Sequence, residues 1–380
     1  MAKQIGIDLG TANTVICLKG SGIVLRVPSV IAIRESDHEV IAFGHEARQM
    51  LGKTPPSVRV ERPLRNGVIT DADIATRMLH AFYKKIEATT LFSRPEVFIC
   101  TPCGITGVER SAVEMVASEA GARRVELIEE PLASAIGAGI RIERSRGSMI
   151  VDIGGGTTEV AVLSYRGIVA AKTIRVAGDA VDSAIMRYMR YRRGVMIGET
   201  AAEAIKIRVG SVYPAITAKT PYEAFGRSVR TNMAAAVMVG SQELCPYLQA
   251  PVREIISAIM TTLEETPPEL ASDIYENGIM LTGGSSQLAG LAQLIREVTG
   301  LKIIRANRPL DTVCIGLSRI LESEGDSSPV REQAFSGTSG FGARMLGGMR
   351  LPFTKGREEQ SGTSASAPHG NGQTVGGRRK

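Results

Sequence analysis

Gly6-Ile7-Asp8-Leu9-Gly10-Thr11-Ala12-Asn13-Thr14 and Val151-Asp152-Ile153-Gly154-Gly155-Gly156-Thr157-Thr158-Glu159 are two versions of one pattern. Each reads as a short β-branched strand ending in an Asp, then a Gly-rich turn carrying hydroxyl residues. Glycines in such a turn let backbone N–H groups converge on an anion with no Cβ in the way. Two such turns, from two parts of one chain, can hold a polyphosphate between them like facing jaws. Asp8 and Asp152 would stand beside the phosphates, where a Mg²⁺ that keeps most of its waters can be held.

Outward from these turns, strand-like runs alternate with helical stretches, the pattern of an α/β fold. Strands are expected at Ile5 to Asp8, Thr14 to Leu18, Val97 to Thr101, Met149 to Ile153, Glu159 to Leu163 and Ile279 to Thr282. Helices are expected at Asp71 to Glu87, Glu109 to Ala120, Asp179 to Arg192, Ala201 to Val209 and Val252 to Glu265, with one more after Pro267-Pro268. After each phosphate turn the chain resumes as a strand. A Rossmann fingerprint or a Walker loop would open a helix there. The architecture is therefore a strand–turn–strand hairpin clasping phosphate.

At 380 residues and 43% hydrophobic, the chain can bury sizeable cores. No apolar run approaches the roughly 18 residues that would span a bilayer. Met1-Ala2-Lys3-Gln4 leads directly into the first strand, so neither a signal peptide nor a leading amphipathic helix is expected. Five scattered cysteines fit a reducing cytosol, and the four histidines form no metal-ligand spacing. The net charge of +6 suggests nucleic acid until its distribution is read. From Arg331 onward eight basic residues face only Glu332, Glu358 and Glu359, so the basicity belongs mostly to a Gly/Ser-rich tail. Such a tail cannot bury enough apolar surface to order itself. Nucleic acid is not an expected partner.

Hairpin phosphate turns in two related halves resemble the superfamily of actin, sugar kinases and heat-shock chaperone ATPases. Within it, the chain resembles the MreB/Mbl family of bacterial actin homologues across about residues 3 to 322. The resemblance is carried by the two turns quoted above, by Pro102 with Gly104-Ile105-Thr106 and Glu109-Arg110, and by Leu127-Ile128-Glu129-Glu130-Pro131. It continues through Arg175-Val176-Ala177-Gly178-Asp179, Thr262-Leu263-Glu264 and Thr266-Pro267-Pro268-Glu269-Leu270.

The resemblance implies an actin-like ATPase fold: two related α/β domains around a nucleotide cleft, each with an outer subdomain. Domain I would span 1–145, with residues near 320–330 packing back on it. Domain II would span 146–325, with an outer subdomain at about 207–250, and a disordered tail would follow over 326–380. It also implies ATP and Mg²⁺ as cofactors. Thr11, Ala12 and Asn13 would hold phosphate in the first turn, and Gly154, Gly155, Gly156 and Thr157 in the second. Asp8 and Asp152 would hold the metal. Glu203, Ala204, Ile205 and Lys206 lie in the segment matching the nucleoside-contacting helix, and Gly283, Gly284, Ser285 and Ser286 match the adenine-side loop. Glu130, aided by Thr157, would position the attacking water, which needs a proton acceptor and alignment with the γ-phosphate. Leu91-Phe92 matches a hydrophobic loop that touches lipid.

By the same resemblance the protein would be a slow ATPase that forms filaments on the inner face of the cytoplasmic membrane. It would organise cell-wall synthesis with membrane proteins such as MreC and RodZ. Two departures stand out. Ser285 replaces the third Gly of a Leu-Thr-Gly-Gly-Gly run, where its Cβ would narrow the space near the base. Residues 215–250, with the low-charge run Met233 to Val239, match the family poorly.

Competing readings are weaker. Gly52-Lys53-Thr54 ends like a Walker loop, but Ala47 lacks the required Gly and Pro55-Pro56 forbids the helix. Cys100-Thr101-Pro102-Cys103 has redox spacing without a thioredoxin-type unit around it, so its cysteines are expected to be structural. A chaperone-type ATPase would carry a client-binding domain after the ATPase, and the tail is too short and too Gly/Ser-rich to be one. A sugar kinase would need an acceptor-binding insertion. A non-hydrolysing actin-like scaffold stays open, since a fold does not fix an activity.

Overall fold

Two five-stranded sheets built to one plan frame the computed structural model, which describes residues 2–89, 93–218 and 220–323. The first sheet runs Arg124–Glu129, Glu96–Thr101, Gln4–Leu9, Asn13–Leu18, Gly22–Pro28. The second runs Ile303–Arg305, Ile279–Thr282, Ser148–Ile153, Thr158–Ser164, Gly167–Ile174. In each, the central strand pairs antiparallel with its successor through a Gly-rich turn, and parallel on its other side with a strand from later in the chain. The near-repeat in sequence is thus the seed of a repeat in topology.

All six expected strands form, within a residue or two of their expected ends. The central strands are buried: Ile5, Ile7, Ile150, Val151 and Ile153 have no exposed surface. That is why they read as near-continuous apolar runs rather than as an alternation. Helix Ala72–Lys85 starts where the Asp71 carboxylate accepts the Ile74 N–H, and helix Gly107–Glu119 starts at a reciprocal Thr106/Glu109 capping box.

Two segments depart from expectation. The helix expected at Val252 to Glu265 runs Ser241–Glu264, through Pro246 and Pro251. Each proline removes a helical hydrogen bond, but Leu244, Leu248, Val252, Ile255 and Ile259 bury one continuous stripe, and that burial prevails. The poorly matching run before it is the edge strand Ala234–Val239 of a small sheet with Tyr222–Ser228 and Val195–Met196. A second small sheet (Ile31–Arg34, Val40–Phe43, Val58–Glu61) with helix His45–Met50 belongs to the first half, where the resemblance implies an outer subdomain.

Helix Thr312–Glu322 returns from the second half and packs Val313, Leu317, Ile320 and Leu321 with Val15, Cys17 and Phe98 of the first sheet. It crosses helix Glu130–Ala138 with backbone against backbone. A Cβ on Gly137 would sit 1.8 Å from the Thr312 carbonyl oxygen, and one on Gly316 would sit 1.9 Å from that of Ala133. Among the described residues no helix is long and apolar enough to cross a membrane. Leu91, Phe92 and the tail beyond Ser323 lie outside the described residues.

Candidate functional site

The two Gly-rich turns meet face to face. A Cβ on Gly155 would lie 2.6 Å from the Ala12 Cβ, and one on Gly156 would lie 2.6 Å from Thr11 Oγ1. Glycine is required at both positions because the opposing turn takes the space. The first turn is fixed from behind: Ser29 Oγ donates to the Gly10 carbonyl at 2.6 Å, and the Ser29 N–H to the Ala12 carbonyl at 3.0 Å. The second is fixed by Ser285 Oγ donating to the Gly154 carbonyl at 2.6 Å and the Asp179 N–H donating to Gly155 at 2.8 Å. A tight turn at Asn66-Gly67, both with positive φ, caps the junction: the Gly67 N–H donates to Thr11 Oγ1 at 3.0 Å.

These turns open into a cavity of about 620 Å³ between the halves. Asp8, Thr11, Ala12, Asn13, Glu130, Asp152, Gly154, Gly155, Gly156, Thr157, Glu203, Lys206, Gly283, Gly284 and Ser285 all border it. Ala204, Ile205 and Ser286 do not. On helix Glu199–Val209 the cavity-facing positions are Glu203, Lys206 and Ile207, while Ile205 points into the core and is fully buried. A helix presents one face in 3.6 residues, so a contiguous quartet cannot all reach the cavity. Ser286 is buried and donates to the Gly283 carbonyl at 2.7 Å, which shapes the turn. Ser285 borders the cavity beside Gly283 and Gly284. Its hydroxyl is spent on the Gly154 carbonyl, so it braces the second Gly-rich turn.

Several lining residues had no sequence signal. Asp182, Arg62, Leu288, Leu310 and Val313 come from distant segments, and only the tertiary fold gathers them beside Asp179. Lys206 Nζ is held by Asp182 at 2.7 Å and by the Gly178 carbonyl at 3.3 Å. Glu203 is ion-paired across the cleft with Arg48.

The carboxyl groups at the cavity floor are crowded. Withdrawal from water, then the Asp152 charge, pushes Asp8 up to about 7. Burial pushes Asp152 up to about 6, although Ser134 Oγ donates to it at 2.7 Å and opposes the shift. Two oxygen-donor carboxylates in mutual repulsion are a fitting pair for a hard divalent cation such as Mg²⁺. Glu130 is held well above the ordinary carboxylate range, first by burial and then by Asp152, Glu159 and Asp8. Glu129, its sequence neighbour, faces a different cavity of about 360 Å³ with Glu109 and Arg175. Glu159 stands opposite Asp152 in the hairpin, and Cys103 N–H donates to its Oε2 at 3.0 Å, joining the halves. All five cysteines are free, and burial holds the thiols of Cys100 and Cys103 well above their ordinary value.

Comparison with known proteins places this geometry. The family model described as MreB/Mbl protein matches residues 2–328. The chain is 46% identical over 326 residues to the cell shape-determining protein MreB of Escherichia coli (strain K12), covering 84% of this chain and 94% of that protein. It is 42% identical over 331 residues to the cell shape-determining protein Mbl of Bacillus subtilis (strain 168), covering 87% and 99%. The crystal structure of MreB5 of Spiroplasma citri bound to AMPPNP superposes with a TM-score of 0.79 at 33% identity, covering 84% and 96%. The MamK double helical filament shares the fold, with a TM-score of 0.71 at 22% identity and coverage of 84% and 98%. Sheets of one topology in two halves, Gly-rich turns in contact between them, and these likenesses agree: the chain belongs to the MreB/Mbl family and has the actin-like ATPase fold.

Proposed function

We propose that this protein is a cell shape-determining actin homologue that binds and hydrolyses ATP, forms filaments at the inner face of the cytoplasmic membrane and organises cell-wall synthesis. The observation that carries the reading is the pair of phosphate turns in contact across the cleft, with Asp8, Asp152 and Glu130 on the cavity floor. Backbone N–H groups of 11–13 and 154–157 would cradle the phosphates, Glu203 and Lys206 would meet the nucleoside, and Gly283, Gly284 and Ser285 would flank the base. Asp8 and Asp152 would hold Mg²⁺ through water. The ion, when bound, offsets charge on the phosphates. Glu130, with Thr157, would accept a proton from the attacking water and align it. MreB5, at 33% identity, is a nucleotide-bound relative.

The boundaries we assign are domain I at 1–145 and domain II at 146–325, with helix Thr312–Glu322 lying on domain I. The small sheet of domain II supports a polymer contact. Phe225 and Met238 on its outer face are 67% and 48% exposed, more apolar surface than an isolated subunit needs. A head-to-tail contact that does not close makes filaments. MreC and RodZ are the membrane partners we infer from family membership.

The binding half of this reading is tested by Asp152→Ala. Calorimetry should show Mg-ATP affinity reduced about tenfold or more, with circular dichroism unchanged, since one of two carboxylates near the ion is lost. Unchanged Mg-dependent affinity in the folded variant would refute the metal role.

The filament and membrane half is tested by electron microscopy and co-sedimentation on anionic vesicles with ATP. Leu91-Phe92 lies between helix Ala72–Lys85 and strand Glu96–Thr101, with Arg94 close by. Two apolar residues add a few kcal/mol at about 0.8 kcal/mol per buried CH₂, and a filament multiplies the contact. Deleting the pair should abolish vesicle co-sedimentation of filaments with little change in melting temperature. A large fall in melting temperature with lipid binding retained would place the pair in the core.

A further inference from the structure

Arg62 follows strand Val58–Glu61 of the small sheet on the first half, and its side chain is only 15% exposed. It borders both the large cavity and an adjoining one of about 220 Å³ that also touches Thr11, Gly156 and Asp179. Its Nε is buried and has no hydrogen-bond partner among the described residues. Among the described residues its Nη1 makes only long ion pairs across the cleft, 3.7 Å to Asp179 and 3.8 Å to Glu199. A guanidinium has five donors in a rigid fork, and withdrawing it from water with donors unspent costs free energy. Such a group is under-satisfied where it stands.

The charge around it sharpens the point. Six carboxyl-bearing residues border the large cavity, and among its described lining residues the only cations are Arg62 and Lys206. Lys206 is already committed to Asp182 at 2.7 Å. A polyphosphate entering this acidic cleft therefore meets one side-chain cation with donors to spare.

We propose that Arg62 is a direct phosphate ligand, whose guanidinium leaves Asp179 and Glu199 to grip the terminal phosphate of a nucleoside triphosphate. The inference rests on the nucleotide reading above and extends it to a residue that distinguishes triphosphate from diphosphate. The fork matches two oxygens of one phosphoryl group. Because Arg62 belongs to the first half and the 154–157 turn to the second, the terminal phosphate would tie the halves together, and its loss would untie them.

The test is calorimetric titration of the full-length wild type, Arg62→Ala and Arg62→Lys with Mg-ATP and with Mg-ADP, with melting temperatures as the control for folding. Arg62→Ala should lose about tenfold or more in ATP affinity, and ADP affinity should stay within about threefold. Arg62→Lys keeps the charge without the fork and should fall between. Equal weakening for both nucleotides, or none for either, overturns the role. If Arg62→Ala does not fold, the ATP-to-ADP affinity ratio of Arg62→Lys decides alone. A wild type that binds neither nucleotide overturns the nucleotide reading itself.

Discussion

Replacing Glu130 by alanine is expected to leave ATP bound and to cut phosphate release by about 10²- to 10⁴-fold, the usual worth of a positioned general base. Glu130 borders the cavity that the Gly-rich turns form, and the hydrogen bonds that brace those turns come from Ser29, Ser285 and Asp179. Binding should therefore survive while water alignment is lost. Glu129→Ala is the control, because its side chain faces the other cavity. Single-turnover phosphate release separates the two. If Glu129→Ala is the slow variant, the roles of the pair are reversed. Burial is the largest cause holding Glu130 above the ordinary carboxylate range. A proton acceptor must be ionised, so wild-type turnover should rise with pH over a range displaced upward from about 4.5. The residual rate of Glu130→Ala should lose that limb.

The second large effect is structural. Gly316→Ala is expected to destabilise the protein by about 3 kcal/mol or more, beyond the usual cost of overpacking. The new methyl would fall 1.9 Å from the Ala133 carbonyl oxygen, and 2.7 Å from its carbon, both main-chain atoms of a buried helix. Neither can rotate away as a side-chain end can, so the helices themselves must part. Their parting would also loosen the seat of Glu130, which opens the helix that Gly316 presses on. Gly107→Ala gives the contrast. Its Cβ would meet nothing within 4 Å, and it lies in the first turn of helix Gly107–Glu119, so the change should be neutral or slightly stabilising. Denaturant melts of the two variants would separate the predictions. A Gly316→Ala protein as stable as wild type would mean that the crossing yields.

What the sequence determined by itself was local and repeated. Asp8 and Asp152 each lie one residue before the end of a buried strand, each ahead of a glycine turn, and both facts are written in consecutive residues. The strands around them were legible because β-branched runs and glycines act over a few positions. Glu130 beside Pro131, and the glycines of 283–284, were legible for the same reason, once the MreB/Mbl resemblance supplied their context.

What only the tertiary structure decided depends on groups far apart in the chain. Burial of one stripe carried helix Ser241–Glu264 through two prolines that local propensity would have used to stop it. The helical period, set against a cavity, separated Glu203 and Lys206 from Ile205. Ser285 became a brace because Gly154 lies 2.6 Å from its hydroxyl, across 131 positions of sequence. Arg62 acquired its acidic surroundings only when the cleft brought Asp179 and Glu199 opposite it. Charge and hydrogen bonding act through space, and spacing along the chain records them only where folding keeps neighbours together.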